Sequence, residues 1–341
     1  MKKKYDVIVY IGRFQPVHNA HVEILKRAAK LAHHVIVVVG SADVPATYKD
    51  PFNTHQRWFM LNTVLKNIDE DFNYTIESVR NTVYNNQLWA SRVQAIVANY
   101  TKPDNKIALI GHSKDASSFY LDMFPQWERI DVPLIEPLDA TSVRDLFFSR
   151  RANMNFIRGV VPPCVLDFLN CFRETDTHEQ IIQEREFIQE YKKQYSSLPY
   201  EPVFVTTDVI LIQSAHVLMI KRKAIPGKGL WALPGGFLNA STDASVQSAA
   251  IRELKEETGI KVPVAVLNGS IKDSRVFDSI GRSARGRTIT HAFKIVLPDG
   301  ELPKVKGSDD AAAAKWIPIS DIQSSLCFED HYEIIDWAIN T

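Results

Sequence analysis

Three carboxylates stand close together in Arg252-Glu253-Leu254-Lys255-Glu256-Glu257-Thr258-Gly259-Ile260. On a helix, at about 100° per residue, Glu253, Glu256 and Glu257 fall within an arc of roughly 100°, while Ala250 and Leu254 point elsewhere, toward a core. Carboxylates so placed repel one another unless cations lie between them, and clustered oxygens suit hard divalent ions such as Mg²⁺ or Mn²⁺. Gly259 closes the helix. A solvated acidic face is the plainer reading of a bare Glu-Glu pair; Arg252 in front and Pro234-Gly235-Gly236 upstream weigh against it.

A second cluster, Gly12-Arg13-Phe14-Gln15-Pro16-Val17-His18-Asn19-Ala20-His21, follows the apolar run Val7–Ile11. Where a buried strand ends and a helix begins, free backbone N–H groups face a crevice, and open α/β sheets take their ligands there. Gly12 lets a phosphate approach the backbone closely. His18 and His21 are three apart, so on a helix they share a face and both reach one phosphate. Their N–H groups could stabilise charge on a nucleotidyl group in transfer. Two histidines near a helix start are often plain surface residues; the Gly-Arg before them and the helix after them favour chemistry.

Elements must position these groups. Val7–Ile11, a helix from Asn19 to Ala32 with Val22, Leu25, Ala29 and Ala32 at helical spacing, and the strand Val35–Val39 spell a βαβ unit. That unit predicts a parallel, doubly wound α/β sheet, with further strands at Tyr74–Val79 and Lys106–Ile110 and a helix near Leu88–Ala98. A polar amphipathic helix is expected between Thr175 and Lys193, followed by the Ser/Pro-rich breaker Ser196–Pro202. Beyond it come β-prone runs at Val203–Val205, Val209–Ile212 and Val217–Ile220, turns at Pro226-Gly227 and Pro234-Gly235-Gly236, a helix from Asp243 to Thr258 and a last helix from Asp330 to Ile339. This half reads as α+β with a mixed sheet. The expected division is 1–174, a helical linker 175–200, and 201–341.

Composition agrees with that plan. At about 150 residues per domain, 341 residues predict two domains. Forty basic residues balance forty acidic ones and the hydrophobic fraction is 45%, which excludes a disordered chain and argues against a general nucleic-acid binder. Cys164, Cys171 and Cys327 make neither a disulfide framework nor a zinc pattern. The longest apolar run, Val35–Val39, is far short of the roughly 20 residues that span a bilayer. A cytoplasmic protein with no membrane or nucleic-acid partner is expected.

Gly12–His21 resembles the GRFQPxHxxH signature of the nucleotidyltransferase superfamily, in particular the nicotinamide mononucleotide (NMN) adenylyltransferases. Gly111-His112-Ser113-Lys114-Asp115-Ala116-Ser117-Ser118 resembles that family's GHxKDASS segment. Thr141-Ser142-Val143-Arg144 resembles the TxxR core of its second signature, with Asp139-Ala140 where Ser-Ser or Ser-Gly usually stands. The resemblance implies ATP contacts at Gly12, Arg13, Phe14, His18, His21, Gly111, Thr141 and Arg144, with His18, His21 and Arg144 catalytic. It implies NMN contacts at Arg57, Asn86 and Trp89, the indole stacking on the nicotinamide, although Trp89 also suits a core. The 5′-phosphate of NMN would attack the α-phosphorus of ATP around bound Mg²⁺.

Arg252–Ile260 is similar to the REUxEExGU core of the Nudix box. The resemblance implies metal binding by Glu253, Glu256 and Glu257, with Glu253 and Glu257 catalytic. ADP-ribose contacts are expected at Gly235 and Gly236 and at Arg282, Arg285 and Arg287 of the glycine-arginine loop. The full pattern, Gx5Ex7REUxEExGU, is not met: 16 positions separate Gly236 from Arg252 where 14 are expected. Counting forward puts Thr242 at the first Glu position, counting back puts Ala244 there, and Asp243 lies between. Two functions follow. One is a bifunctional enzyme making NAD from ATP and NMN and hydrolysing ADP-ribose to AMP and ribose 5-phosphate, with Mg²⁺, or Mn²⁺ in the Nudix domain. The other keeps the first activity and makes the C-terminal domain a non-hydrolytic ADP-ribose sensor or assembly module. Homo-oligomerisation is left open by the sequence.

Overall fold

The computed structural model of the protein describes residues 3–68, 72–112, 116–133, 139–307 and 311–341, the side chains of 116–118 excepted. The chain divides into two compact units, Met1–Gln183 and Glu184–Thr341.

The first unit runs β1 (Tyr5–Gly12), α1 (Asn19–Leu31), β2 (Ala32–Val39), α2 (Thr54–Lys66), β3 (Tyr74–Ser78), α3 (Asn86–Ala98), β4 (Ile107–Gly111), β5 (Glu128–Asp131), α4 (Ala140–Phe147), α5 (Met154–Val160) and α6 (Pro163–Phe172). The five strands are parallel in the order β3-β2-β1-β4-β5. β1 is central, and its run from Val7 to Ile11 is apolar because helices cover both faces. Ile8 and Tyr10 join one core with Leu25 and Leu61; Val7, Val9 and Ile11 join the other with Val93 and Val97. The chain leaves β1 toward β2 on one side and returns as β4 on the other, so the strand order reverses between β1 and β4. Gly12 and Gly111, at their C-terminal ends, border the crevice where such sheets bind ligands.

The first strands and helices were legible here; β5, α2, α4, α5 and α6 were not, and of these α2, α4 and α5 are started by side-chain caps rather than by a long periodic run. Asn53 accepts from Gln56 N–H, Asp139 from Ser142 N–H and Asn153 from Phe156 N–H.

α7 (Asp176–Lys193) contains the division between the units. The second unit then runs β6 (Phe204–Gln213), β7 (His216–Arg222), β8 (Trp231–Ala232), β9 (Gly235–Phe237), α8 (Val246–Thr258), α9 (Val264–Gly269), β10 (Ile271–Phe277), β11 (Thr288–Val296), β12 (Ala311–Pro318) and α10 (His331–Asn340). Its seven-stranded sheet is mixed: β6 and β11 are parallel, and the other pairs are antiparallel. The runs expected at Val203–Val205 and Val209–Ile212 are one strand, β6. Thr206, Thr207 and Asp208, which break the apolar pattern, are buried within it. α8 begins at Val246, not at Asp243, because Ser245 caps it. Gly259 ends it in the left-handed conformation, at φ 59°. Among the described residues no helix is long and apolar enough to cross a membrane.

Candidate active sites

In the first unit α1 begins at Asn19, so His18 is the residue before its first turn. The His18 and His21 rings lie 3.8 Å apart, centroid to centroid. His18 N–H donates to His21 Nδ1 at 3.2 Å, which assigns the His21 proton to Nε2. Burial, and secondarily His18, hold the His21 pKa well below 6.5. His21 is therefore a neutral donor at physiological pH.

Phe14 was expected at the ATP site. Its ring is buried and lies under the histidines, edge-on to His21 at 4.9 Å. A Cβ on Gly12 would fall 2.9 Å from that ring. Only the Phe14 backbone is left to meet a ligand, and Gly12 is required by its own neighbour.

Gln15 ties the loop to the chain before α2: its Nε2 donates to Phe52 O and its Oε1 accepts from Phe52 N–H, both at 2.9 Å. Arg144, on α4, donates from Nη1 to Gln15 O at 2.7 Å and from Nη2 to Thr141 Oγ1 at 3.1 Å. Its Nε is buried without an acceptor, and burial lowers its pKa. The TxxR segment thus joins the Gly12–His21 loop through one carbonyl. Asp139, at the position of the first serine of the expected Ser-Ser or Ser-Gly, caps α4 (Ser142 N–H to Oδ1, 2.9 Å). Arg13 is exposed, 3.6 Å from Asp50.

Arg57 departs from expectation. It is wholly buried, and main-chain carbonyls accept from Nε, Nη1 and Nη2. A guanidinium so enclosed does not reach a substrate phosphate, and the expected NMN contact is withdrawn. Asn86 is exposed at the start of α3, and Trp89 is half-buried. Trp89 packs edge-on to Tyr120 at 6.1 Å, and the Tyr120 hydroxyl donates to Ile11 O at 3.3 Å, which connects the indole to the end of β1. Gly111 has no room for a side chain: a Cβ would lie 2.7 Å from Leu121. Residues 113–115 of the GHxKDASS segment lie outside the described residues.

In the second unit Arg252 organises the acidic helix. Nη1 donates to Glu253 Oε1 at 2.8 Å and Glu256 Oε2 at 2.9 Å; Nε and Nη2 hold Asp243 Oδ1 at 2.9 Å and Oδ2 at 2.8 Å. Asp243 also accepts from Asn239 N–H. The longer loop therefore folds back so that Asp243 supplies the acidic partner that neither Thr242 nor Ala244 can.

Glu257 Oε2 accepts from Gly235 N–H at 2.9 Å. Burial pushes the Glu257 carboxyl up to about 8, with Glu253 and Asp208 adding to the effect. Burial also raises Glu253. A Cβ on Gly236 would meet Glu253 Oε1 at 2.5 Å, and one on Gly235 would meet Thr207 O at 2.1 Å, so the two glycines let backbone pass directly against the carboxylates. Among the described residues no three acidic, His or Cys side chains converge on a metal position as they stand, since Arg252 and Gly235 N–H draw on these same oxygens. The donor set nonetheless fits a hard divalent cation: two carboxylates with raised pKa values gain from a charge placed between them.

The glycine-arginine loop divides three ways. Arg282 is buried in a two-pronged pair with Asp330 (2.9 and 2.8 Å), so it serves the fold and not a ligand phosphate. Arg287 donates to Asp278 O at 2.6 Å. Arg285 lies 5.0 Å from the Phe237 ring, one residue from Gly236. Sequence reasoning missed Asp208 and His331. Asp208 is buried in β6 and accepts from the Thr290 hydroxyl at 2.5 Å; His331 Nδ1 accepts from Leu233 N–H at 2.8 Å. The polar break in the apolar pattern of β6 was the available signal.

Residues 9–131 match the cytidylyltransferase-like family, and residues 203–338 match the NUDIX domain. A crystal structure of a bifunctional NMN adenylyltransferase/ADP ribose pyrophosphatase from Francisella tularensis is 36% identical, with a TM-score of 0.90 over 98% of this chain and 99% of that one. A second Francisella tularensis structure of that description, complexed with AMP and a manganese ion, is 35% identical with a TM-score of 0.89 over the same shares. The nicotinamide/nicotinic acid mononucleotide adenylyltransferase of Acinetobacter baylyi is 32% identical over 182 residues, 53% of this chain and 93% of the relative. The ADP-ribose pyrophosphatase of Methanocaldococcus jannaschii is 38% identical over 131 residues, 38% of this chain and 70% of the relative. With both halves matched in order, the chain belongs to the family of bifunctional NMN adenylyltransferase/ADP-ribose pyrophosphatases.

Proposed function

We propose that the first unit makes NAD and pyrophosphate from ATP and NMN, and that the second hydrolyses ADP-ribose to AMP and ribose 5-phosphate. Mg²⁺ is the metal proposed for both, with Mn²⁺ as an alternative in the second. The observation that carries the first activity is the close His18–His21 pair, ring centroids 3.8 Å apart and tilted by 36°, beside Gly12 and joined to Arg144 through Gln15 O. The NMN phosphate oxygen bonds to the α-phosphorus of ATP while the bond to the leaving pyrophosphate breaks. No protein nucleophile takes part, so the residues position and stabilise charge. His21 donates its Nε2–H without carrying charge of its own, Arg13 and Arg144 supply positive charge at the loop, and Trp89 offers a face for nicotinamide. A divalent ion, when bound, neutralises the phosphates.

For the second activity Glu253, Glu256 and Glu257 are the residues that would hold a divalent metal, and such a metal would supply Lewis-acid chemistry for the pyrophosphate and the attacking water. Gly235 N–H fixes Glu257 Oε2, and Arg252 orients Glu253 and Glu256. Gly235 and Gly236 leave room for the pyrophosphate, and Arg285 beside Phe237 faces the same segment. Water oxygen bonds to one phosphorus as the bridging P–O bond breaks. The Asp243–Arg252 pair favours hydrolysis over a sensor or assembly role, because the box has its acidic partner despite the two-residue insertion. We place the enzyme in the cytoplasm, where its three free thiols stay reduced.

Purified protein with ATP, Mg²⁺ and NMN accumulates NAD and pyrophosphate, and His18→Ala loses most of that rate; if neither product forms, the first assignment is wrong. ADP-ribose with Mg²⁺ or Mn²⁺ releases AMP, Glu257→Gln abolishes the release, and EDTA stops it. Tight ADP-ribose binding without turnover in the parent protein would establish the sensor reading instead.

A further inference from the structure

Beneath the Gly12–His21 loop lies a side chain that the chemistry above does not use. Arg57, in the first turn of α2, donates to carbonyls of three separate segments: Nη1 to Gly40 O at 2.6 Å and Arg13 O at 2.9 Å, Nη2 to Ser41 O at 2.8 Å, and Nε to Asn53 O at 3.3 Å. Burial lowers its pKa to about 10, so it is cationic at neutral pH; Asp50, Arg13 and Asp43 are the charges around it. A buried cation held by carbonyl dipoles is costly, and three chain segments are organised around this one.

The consequence lies in the peptide planes. A trans peptide sets its N–H opposite its C=O, and the Arg13–Phe14 bond is trans, the cis bonds being Gln15-Pro16 and Ile225-Pro226. With the Arg13 carbonyl drawn to Arg57, the Phe14 N–H points to the opposite side of the loop. The other two peptides differ: Ser41 N–H, across from Gly40 O, donates to Asn81 Oδ1 at 3.2 Å, and Ala42 N–H, across from Ser41 O, donates to Val79 O at 3.1 Å. Phe14 N–H has no acceptor among the described residues. Phe14 is also held at φ 55°, a left-handed conformation that an aromatic residue keeps only when its surroundings impose it. Arg57 on the carbonyl side and the buried ring on the other do so.

We infer that Arg57 is a positioning residue for ATP: by holding the Arg13 carbonyl it presents the Phe14 N–H to a phosphate oxygen of the nucleotide. The inference rests on the adenylyl-transfer reading. In Arg57→Lys a single ammonium keeps the charge but cannot span four carbonyls. Losing one hydrogen bond to a charged group, the variant should show a KM for ATP raised about ten- to hundredfold. The KM for NMN and kcat should stay within about threefold, and ADP-ribose hydrolysis by the same preparation should be unchanged. A purely structural role would lower kcat with the folded fraction and leave both KM values in place; that result, or an unmoved KM for ATP, overturns the inference. If Arg57→Lys does not fold, the parent protein with ¹⁵N-labelled phenylalanine decides: saturating ATP should shift the Phe14 amide resonance and slow its solvent exchange, and a Phe14 amide blind to ATP overturns the inference. A parent protein that makes no NAD at all refutes the underlying assignment, whereas the outcomes above arise in a protein that makes NAD.

Discussion

Gly236→Ala should switch off the second activity while leaving the fold and the first activity intact. The added methyl would lie 2.5 Å from Glu253 Oε1, 2.6 Å from its Cδ and 2.9 Å from Oε2. Ordinary carbon contacts need about 3.5 Å or more, so the carboxylate must retreat by about 1 Å. It is the far end of a flexible side chain, so the retreat costs little stability. It is also a proposed metal ligand paired with Arg252, and a displacement of about 1 Å in a catalytic constellation costs on the order of a hundredfold in rate. Gly235→Ala makes the contrast. Its methyl would meet Thr207 O at 2.1 Å and Asp208 Cα at 2.9 Å, backbone atoms of a central strand that cannot swing aside. That variant should lose about 1–3 kcal/mol of stability and several degrees of melting temperature in the second unit. The assay is AMP release from ADP-ribose under saturating Mg²⁺, followed by chromatography, with NAD synthesis by the same samples as the internal standard. Gly236→Ala hydrolysing ADP-ribose within about threefold of the parent would refute the placement of Glu253 in the metal site.

His331 is buried and held at a pKa of about 3, chiefly by burial, against an ordinary 6.5. The unfolded state therefore takes up this proton first as pH falls, and stability is lost from about pH 6.5 downward until the folded pKa is reached. By pH 5 the loss is about 2 kcal/mol. In His331→Asn, whose Oδ1 can accept the Leu233 N–H, the difference between pH 7.5 and pH 5 in urea-unfolding midpoints should shrink; equal shifts in parent and variant would contradict this. Arg252→Lys replaces a fork that reaches Asp243, Glu253 and Glu256 at once with one point charge. Hydrolysis should fall about ten- to hundredfold, with NAD synthesis unchanged; a fully active Arg252→Lys enzyme means the fork does not orient the ligands.

Residue type and spacing alone determined a good deal about this protein. Alternating buried strands and a helical stripe dictated the βαβ core, because period and apolarity are local properties of the chain. Spacing put three carboxylates on one helix face and two histidines at a helix start, and both clusters stand where that logic requires. What the spacing could not decide was which positive side chains remain available to ligands. Arg57, Arg144 and Arg282 read alike as candidate phosphate contacts. In the fold Arg57 serves main-chain carbonyls, Arg144 spans two segments with its Nε left without an acceptor, and Arg282 is consumed by Asp330. The farthest of these partners lie 44, 129 and 48 residues away in the chain, and no local pattern reports those. The same holds for Asp243. By counting it fits neither position of the box, yet a loop two residues longer folds back and delivers its carboxylate to Arg252. Charge type is written residue by residue; whether a charge faces a substrate or a buried partner is a property of packing.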